Sequence, residues 1–375
     1  MTHNLAIRYR PRKFEELIGQ KPVAALLRAM TLKNTLPHVL LLEGCKGSGK
    51  TTTARILAAA LNCEATNKPC GECESCNAVF DGHSLSVREI DASSHGLVDD
   101  IRQLQDSLMY SIPGGMMVLI IDEAQGLSKA ASNALLKTLE FPPEDTVFIL
   151  ITTEAAKILP TIRSRCMIFS FKQIPVEAVF DRLKMVRDKE IIDISDDVLY
   201  QVALRSKGSL RDGLIALDQL VRAGVSKLEH FQLIFGESLP GVSILRSMLT
   251  GRHSAAFSEA DRMLEAVGSV PDIVDSLIEI LKNIVILKAG GLIPAQGDDL
   301  STLESLAQRT EQKKVVAALR ALWDTKIKIR SNDQSPSILY LMITAMMDCL
   351  VLPVYEEQSK PLTFEDIRSK MYETA

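Results

Sequence analysis

The densest chemistry in the chain lies in Gly44-Cys45-Lys46-Gly47-Ser48-Gly49-Lys50-Thr51, followed by Thr52, which matches G-x-x-x-x-G-K-[ST]. Glycines at 44, 47 and 49 let the backbone curl so that its N–H groups face one anion. A helix beginning near Lys50 would turn its positive end to the same place. Lys50 adds a full charge at the β- and γ-phosphates of a nucleotide, and the Thr51 hydroxyl is placed to ligate Mg²⁺. Further on, Val118-Leu119-Ile120-Ile121-Asp122-Glu123 sets two carboxylates at the end of an apolar run. Ligands bind at that end of a strand in α/β sheets. There Asp122 would join the Mg²⁺ shell and Glu123 would polarise an attacking water. Taken singly, the motifs could be a glycine-rich turn and a strand with a polar end. Together they point to nucleotide hydrolysis.

A second cluster is Cys63, Cys70, Cys73 and Cys76, four of seven cysteines, spaced C-x6-C-x2-C-x2-C. In a chain with no export signal such clustering favours a metal over disulfides. Four thiolates in a short loop suit tetrahedral Zn²⁺ in a closed, structural site. A ferredoxin-type iron–sulfur run would continue with a cysteine at position 80, where Phe80 stands.

These groups need a scaffold, and hydrophobic patterning supplies one. His38–Glu43, Val87–Asp91, Val118–Asp122, Val147–Thr152 and Met167–Phe171 read as strands, most of them nearly all apolar. Thr51–Leu61 and Asn133–Leu139 read as helices between them. That alternation predicts a parallel sheet covered on both faces. After Pro175 the strand signals stop. Val176–Ala223 predicts three or four amphipathic helices, and from Lys227 onward the pattern is helical, clearest at Ile273–Leu287 and Val315–Ile329.

Acidic residues outnumber basic ones by 47 to 43, for a formal charge of −4. Bulk charge therefore cannot hold a polyanion, and any nucleic-acid contact needs a local basic face or helix N-termini. Met1 to Phe14 carries Arg8, Arg10, Arg12 and Lys13 with no apolar region behind them, so no secretory signal is expected. The longest apolar stretch, Ile338–Leu352, is interrupted by Asp348 and falls short of the ~20 residues of a membrane span. The expected location is the cytoplasm.

Arg8-Tyr9-Arg10-Pro11, Phe14 and Ile18-Gly19-Gln20 resemble the opening of AAA+ clamp-loader subunits. So do the phosphate loop, the cysteine insert, Asp122-Glu123, Asn133–Glu140 with Pro142-Pro143, Ser164-Arg165-Cys166 and Gly208-Ser209-Leu210-Arg211-Asp212. Their order and spacing resemble the gamma/tau family of DNA polymerase III subunits, densely over 1–225 and weakly beyond. The resemblance implies an α/β AAA+ P-loop ATPase fold: a nucleotide-binding domain over 1–173 with a zinc-binding insert at 63–76, a helical lid over 174–226, and an all-α collar over 227–375. Thr153 matches the sensor that reads the γ-phosphate. Arg165 matches the arginine finger that acts on a neighbouring subunit's ATP, and Arg211 the lid arginine that reaches back to the phosphates. Ile18 lies in the segment that packs against adenine.

What the resemblance implies about function is an ATP- and Mg²⁺-dependent motor with structural Zn²⁺, at the replication fork within the DNA polymerase III holoenzyme. Its partners would be the other subunits of a hetero-pentamer, the sliding clamp, and primer–template DNA read by backbone and shape. ATP binding would assemble a spiral that opens the clamp, and DNA would trigger hydrolysis and clamp release. Lys129, Lys137 and Lys157 are expected backbone contacts, with His95 a weaker one. The sequence departs from the family pattern at His95, at Ala124-Gln125-Gly126 and at Phe141. The chain ends soon after the third domain, which implies the shorter, gamma-like form. The rival readings are a non-catalytic delta-prime-like scaffold, another AAA+ DNA motor, and a signalling ATPase switch. The complete phosphate loop and Asp122-Glu123 argue against the scaffold, and the cysteine insert against the other motors.

Overall fold

Three apolar strands buried on both faces decide the architecture. The computed structural model describes residues 4–107, 115–227, 241–267, 269–291, 293, 297–328 and 335–350. The chain divides into two compact units, Met1–Phe231 and Gln232–Ala375. The first is built on β1 (Val39–Gly44), β2 (Val87–Asp91), β3 (Met117–Asp122), β4 (Thr146–Thr152) and β5 (Met167–Phe171). They form one sheet in the order β2-β3-β4-β1-β5, every pair parallel. All their C-terminal ends therefore lie on one edge, and the phosphate loop, Asp122-Glu123 and Thr153 leave the sheet there.

The central strands bury alternate side chains on opposite faces. Leu40, Leu42, Val118, Ile120, Ile149 and Ile151 join one core with Ala24 and Leu27 of α2 (Lys21–Leu32) and with Ile56 to Ala60 of α3 (Lys50–Leu61). Leu41, Leu119, Ile121, Phe148 and Leu150 join the other with Ile101 of α5 (Val98–Ser107) and Ala131 and Leu135 of α6 (Lys129–Glu140). A fully buried Leu, Ile or Phe contributes about 1.5–3 kcal/mol, so these layers hold the strand ends in register. The edges differ. β2 leaves Arg88 and Glu89 exposed, and Glu89 takes two 2.8 Å hydrogen bonds from Arg55 of α3. That is why its sequence is not the apolar run of a central strand.

The short α1 (Leu5–Arg8) precedes the sheet, and α4 (Glu74–Phe80) and α7 (Pro160–Arg163) lie between its strands. After β5 come α8 (Val176–Glu190), α9 (Asp196–Arg205) and α10 (Leu210–Arg222), three helices where three or four were expected. Serine caps start the last two: Ser195 Oγ accepts the Val198 N–H, and Ser209 Oγ the Asp212 N–H at 3.2 Å. The N-terminal segment ties these helices to the sheet. Arg8 pairs with Glu190, Arg182 donates to the Tyr9 carbonyl, and Gln20 bonds both the carbonyl and the N–H of Lys172.

The second unit is helical throughout its described residues, over Val242–Leu249, His253–Val267, Val270–Lys288, Gly297–Arg309, Gln312–Lys328 and Pro336–Leu350. The expected helices at 273–287 and 315–329 fall on two of these, although Ile329 lies outside the described residues, as does Leu352 of the long apolar stretch. Leu339, Met342, Ile343 and Met346 of that stretch are buried in the core of this unit. Among the described residues no helix is long and apolar enough to cross a membrane.

Candidate nucleotide site and cysteine cluster

The phosphate loop runs from the end of β1 to the start of α3. Gly49 caps that helix at φ +99°, a left-handed conformation that side chains avoid. Gly47, at φ +73°, has a second constraint. A Cβ there would stand 1.9 Å from Ser209 Oγ, so only glycine lets the start of α10 close over the loop. Lys50 is buried and its Nζ donates to the carbonyls of Gly44 and Cys45, both at 2.8 Å. Burial pushes its pKa down, while Glu123 and Asp122 pull it back up.

Opposite Lys50, the end of β3 meets the start of α3. Thr51 Oγ1 donates to Asp122 Oδ2 at 2.7 Å. Burial pushes the Asp122 carboxyl up, against hydrogen bonds from Thr51 and from the Glu123 N–H. A hydroxyl and a desolvated carboxylate this close are hard oxygen donors suited to a small divalent cation. Glu123 has φ +48° and ψ 46°. Such a backbone costs a non-glycine residue about 1–3 kcal/mol and persists only where its surroundings hold it. Here the Glu123 N–H donates to Asp122 Oδ1 at 2.9 Å and the Gly126 N–H to the Glu123 carbonyl at 2.7 Å. The side chain lies against the end of β4, where Thr153, the residue after the strand, donates its Oγ1 proton to Glu123 Oε2 at 3.1 Å. Parallel pairing of Glu43 with Thr152 sets Thr153 beside the start of the phosphate loop.

Lys50, Thr51, Asp122, Glu123 and Thr153 thus converge on one edge of the sheet. Arg211 is exposed at the start of α10. Its charge reaches Arg10, whose pKa is lowered mainly by burial and then by Arg55, and is also lowered by Arg211 while Glu89 and Asp122 raise it. Arg165 takes no part in the cluster. Its guanidinium pairs with Glu140 and donates to the Thr161 carbonyl at 2.6 Å. Ile18 is half-buried; the neighbour of the loop is Leu17, whose Cδ2 would lie 3.9 Å from a Cβ at Gly49.

The sequence reading missed Arg10, Thr152 and Gln125 as parts of this edge. Gln125 Nε2 donates to Glu123 Oε2 at 2.6 Å and to Thr153 Oγ1 at 3.0 Å, while its Oε1 accepts from Thr152 Oγ1 at 2.6 Å. The signals available were its place two residues after Glu123 and its departure, within Ala124-Gln125-Gly126, from the family pattern. Lys129 and Lys157 line a cavity of about 230 Å³ beside Gln125, and Lys157 is paired with Glu154 at 2.7 Å. Lys137 is exposed on α6. His95 stands 3.9 Å from Asp100, an acidic neighbour ill suited to a phosphate contact.

The four cysteines of the insert come together. Their Sγ atoms all lie within 4.8 Å of one another, with Cys70–Cys76 at 3.9 Å and Cys63–Cys73 at 4.0 Å. Four sulfurs about 2.3 Å from a tetrahedral ion stand about 3.8 Å apart, so the cluster fits one metal ion. Backbone N–H groups of Cys70, Glu72, Cys73 and Cys76 point at sulfur over 3.3–3.5 Å. Those of Glu72 and Cys73 bring the Cys70 thiol down to about 6. Burial pushes Cys76 up.

The sequence matches the family described as DNA polymerase III, delta subunit, over residues 19–175. It is 33% identical over 312 residues to the DNA polymerase III subunit tau of Bacillus subtilis, covering 81% of this chain and 55% of that protein. It is 40% identical over 223 residues to the subunit gamma of Buchnera aphidicola, covering 59% of this chain and 62% of that one. The chain therefore spans about half of the curated relatives it matches. Among solved structures, the RuvB Holliday junction branch migration motor of Thermotoga maritima overlays with a TM-score of 0.46 at 21% identity, covering 64% of this chain and 79% of that one.

Proposed function

We propose that this chain is an ATP-hydrolysing motor subunit of a sliding-clamp loader, of the DNA polymerase III gamma/tau type to whose members it is 33–40% identical. The observation that carries this reading is the closure of the phosphate loop on the end of β3, with Thr51 2.7 Å from Asp122 and Glu123 beside Thr153. The loop N–H groups and Lys50 bind the polyphosphate, and Thr51 and Asp122 hold Mg²⁺, which when bound draws charge from the phosphates. Glu123 orients and deprotonates the attacking water. Thr153 keeps that carboxylate facing the γ-phosphate. The helices after Pro175 act as a lid, bringing Arg211 over the phosphates. Arg165 serves a neighbouring subunit. The helical second unit is the collar through which subunits assemble. Lys129, Lys137 and Lys157 contact the DNA backbone, so binding weakens as salt rises.

The delta-subunit family match over 19–175 favours a second reading, a non-catalytic scaffold of the same assembly. Turnover separates the two. ATP hydrolysis is measured for this chain assembled with its partner subunits, with Lys50→Ala as the blank. Addition of clamp and primer–template DNA should raise wild-type turnover and leave the blank flat. Equal rates for wild type and blank would make the chain a scaffold.

For the insert, we propose structural zinc. Its four ligands are all protein thiolates, leaving no open position for chemistry. Cys76→Ser should remove the metal stoichiometrically by elemental analysis, lower the stability of the first unit by about 2–4 kcal/mol, and expose residues 63–76 to protease. Because thiols must lose their protons to bind the ion, zinc uptake should release protons and tighten as pH rises. A variant that keeps its metal would remove Cys76 from the ligand set.

A further inference from the structure

Gln125 sits at a crossing of three polar groups, and its orientation is determined. Thr152 is fully buried. Its Oγ1 accepts the Glu154 N–H at 3.0 Å and donates to Gln125 Oε1, 2.6 Å away. The Glu123 carboxylate can only accept, so the amide nitrogen must face it, at 2.6 Å from Glu123 Oε2 and 3.0 Å from Thr153 Oγ1, and the amide oxygen is left to Thr152. Glu123 Oε2 thus receives two donors, from Gln125 and Thr153, and is tied to the end of β4. Glu123 Oε1 is given no donor in this network and keeps its lone pairs for another proton.

We propose that Gln125 is a positioning residue for hydrolysis: held by Thr152, it fixes one oxygen of the Glu123 carboxylate so that the other meets the attacking water. The inference rests on the assignment of Glu123 above. Glu123 starts from a left-handed backbone that turns its side chain out of line with β3, so the backbone alone does not set where the carboxylate ends. The anchor on β4 does, and Gln125 supplies the shorter of its two hydrogen bonds. The same residue lines the cavity bordered by Lys129 and Lys157. A phosphate engaged by those lysines would therefore act on the side chain that aims Glu123.

The test uses the full chain in the reconstituted loader with clamp and primer–template DNA. Gln125→Ala should lower kcat between about tenfold and a hundredfold, the range for a displaced catalytic group, with KM for ATP and thermal stability unchanged. Thr152→Val should lower kcat in the same way but less, because the amide oxygen loses its partner while the nitrogen keeps its bonds to Glu123 and Thr153. Thr152→Ser, which keeps the hydroxyl, should restore most of that loss. If Gln125→Ala keeps kcat within twofold of wild type, or loses it together with ATP affinity and stability, Gln125 is packing and not positioning. A Thr152→Ser variant as slow as Thr152→Val would equally overturn the proposal, since the hydroxyl would then be irrelevant. Wild-type turnover no higher than that of Lys50→Ala would instead sink the ATPase reading.

Discussion

Glu123→Gln should lower ATP turnover by about 10²–10⁴-fold while leaving ATP binding close to wild type. The substitution keeps the shape of the side chain and removes its ability to take a proton, and general-base catalysis contributes a factor of this size. Binding should survive because its determinants lie elsewhere, in the loop N–H groups, in Lys50 and in the Thr51–Asp122 pair. The left-handed backbone at 123 is no harder for glutamine than for glutamate. The new amide can present its oxygen to Gln125 and Thr153, so the anchor on β4 remains. The expected product is an assembly that binds ATP and holds it. Single-turnover hydrolysis and equilibrium nucleotide binding, measured on one preparation with clamp and primer–template DNA, separate the two effects. Turnover within tenfold of wild type would take the base role from Glu123, and a parallel loss of binding would show that the carboxylate is part of the nucleotide cradle.

How far such roles could be read from sequence depends on how local their causes are. The loop at 44–51 binds through its own backbone, so its residues and the strand before it were legible as a string. β3 and β4 were legible because burial on both faces makes their central residues an unbroken apolar run. The spacing of Cys63, Cys70, Cys73 and Cys76 already implied a cluster, since a short loop cannot keep four thiols apart. What stayed hidden was made by pairing between distant segments. Gly47 is a glycine partly because Ser209, far along the chain, stands over it. Gln125 is meaningful only because β4 lies beside β3 and carries Thr152 and Thr153 to it. Arg10 reads as one of several N-terminal cations until the fold brings its charge within reach of Asp122. β2 shows the same limit from the other side. Its Arg88 and Glu89 belong to an edge, and edge or centre is a property of strand order, which no single strand carries.

The role proposed for Arg165 reaches furthest beyond one chain, and its removal should be the most damaging change of all. In its own subunit it lies apart from Lys50 and Glu123, held on the surface by Glu140 and the Thr161 carbonyl. There its guanidinium is engaged by these partners and makes none of the bonds that join Thr51 to Asp122 and Glu123 to Thr153. A cation delivered to the transferring phosphoryl group from a neighbour is worth about 10³–10⁵ in rate, so Arg165→Ala should cost that much in the assembled loader. The fold should tolerate the change. The Arg165 and Glu140 side chains are 32% and 41% exposed, and exposed ion pairs contribute about 0–1 kcal/mol. Thermal stability and ATP binding by the isolated chain should stay near wild type, which separates lost catalysis from lost structure. Mixing gives the sharper result. A Lys50→Ala chain cannot hydrolyse its own ATP but still carries Arg165, so co-assembly with Arg165→Ala chains should recover part of the activity that neither has alone. Recovery requires donation across an interface. Full activity of Arg165→Ala by itself, or no recovery on mixing, would leave Arg165 as the surface partner of Glu140 and require another cation at the γ-phosphate.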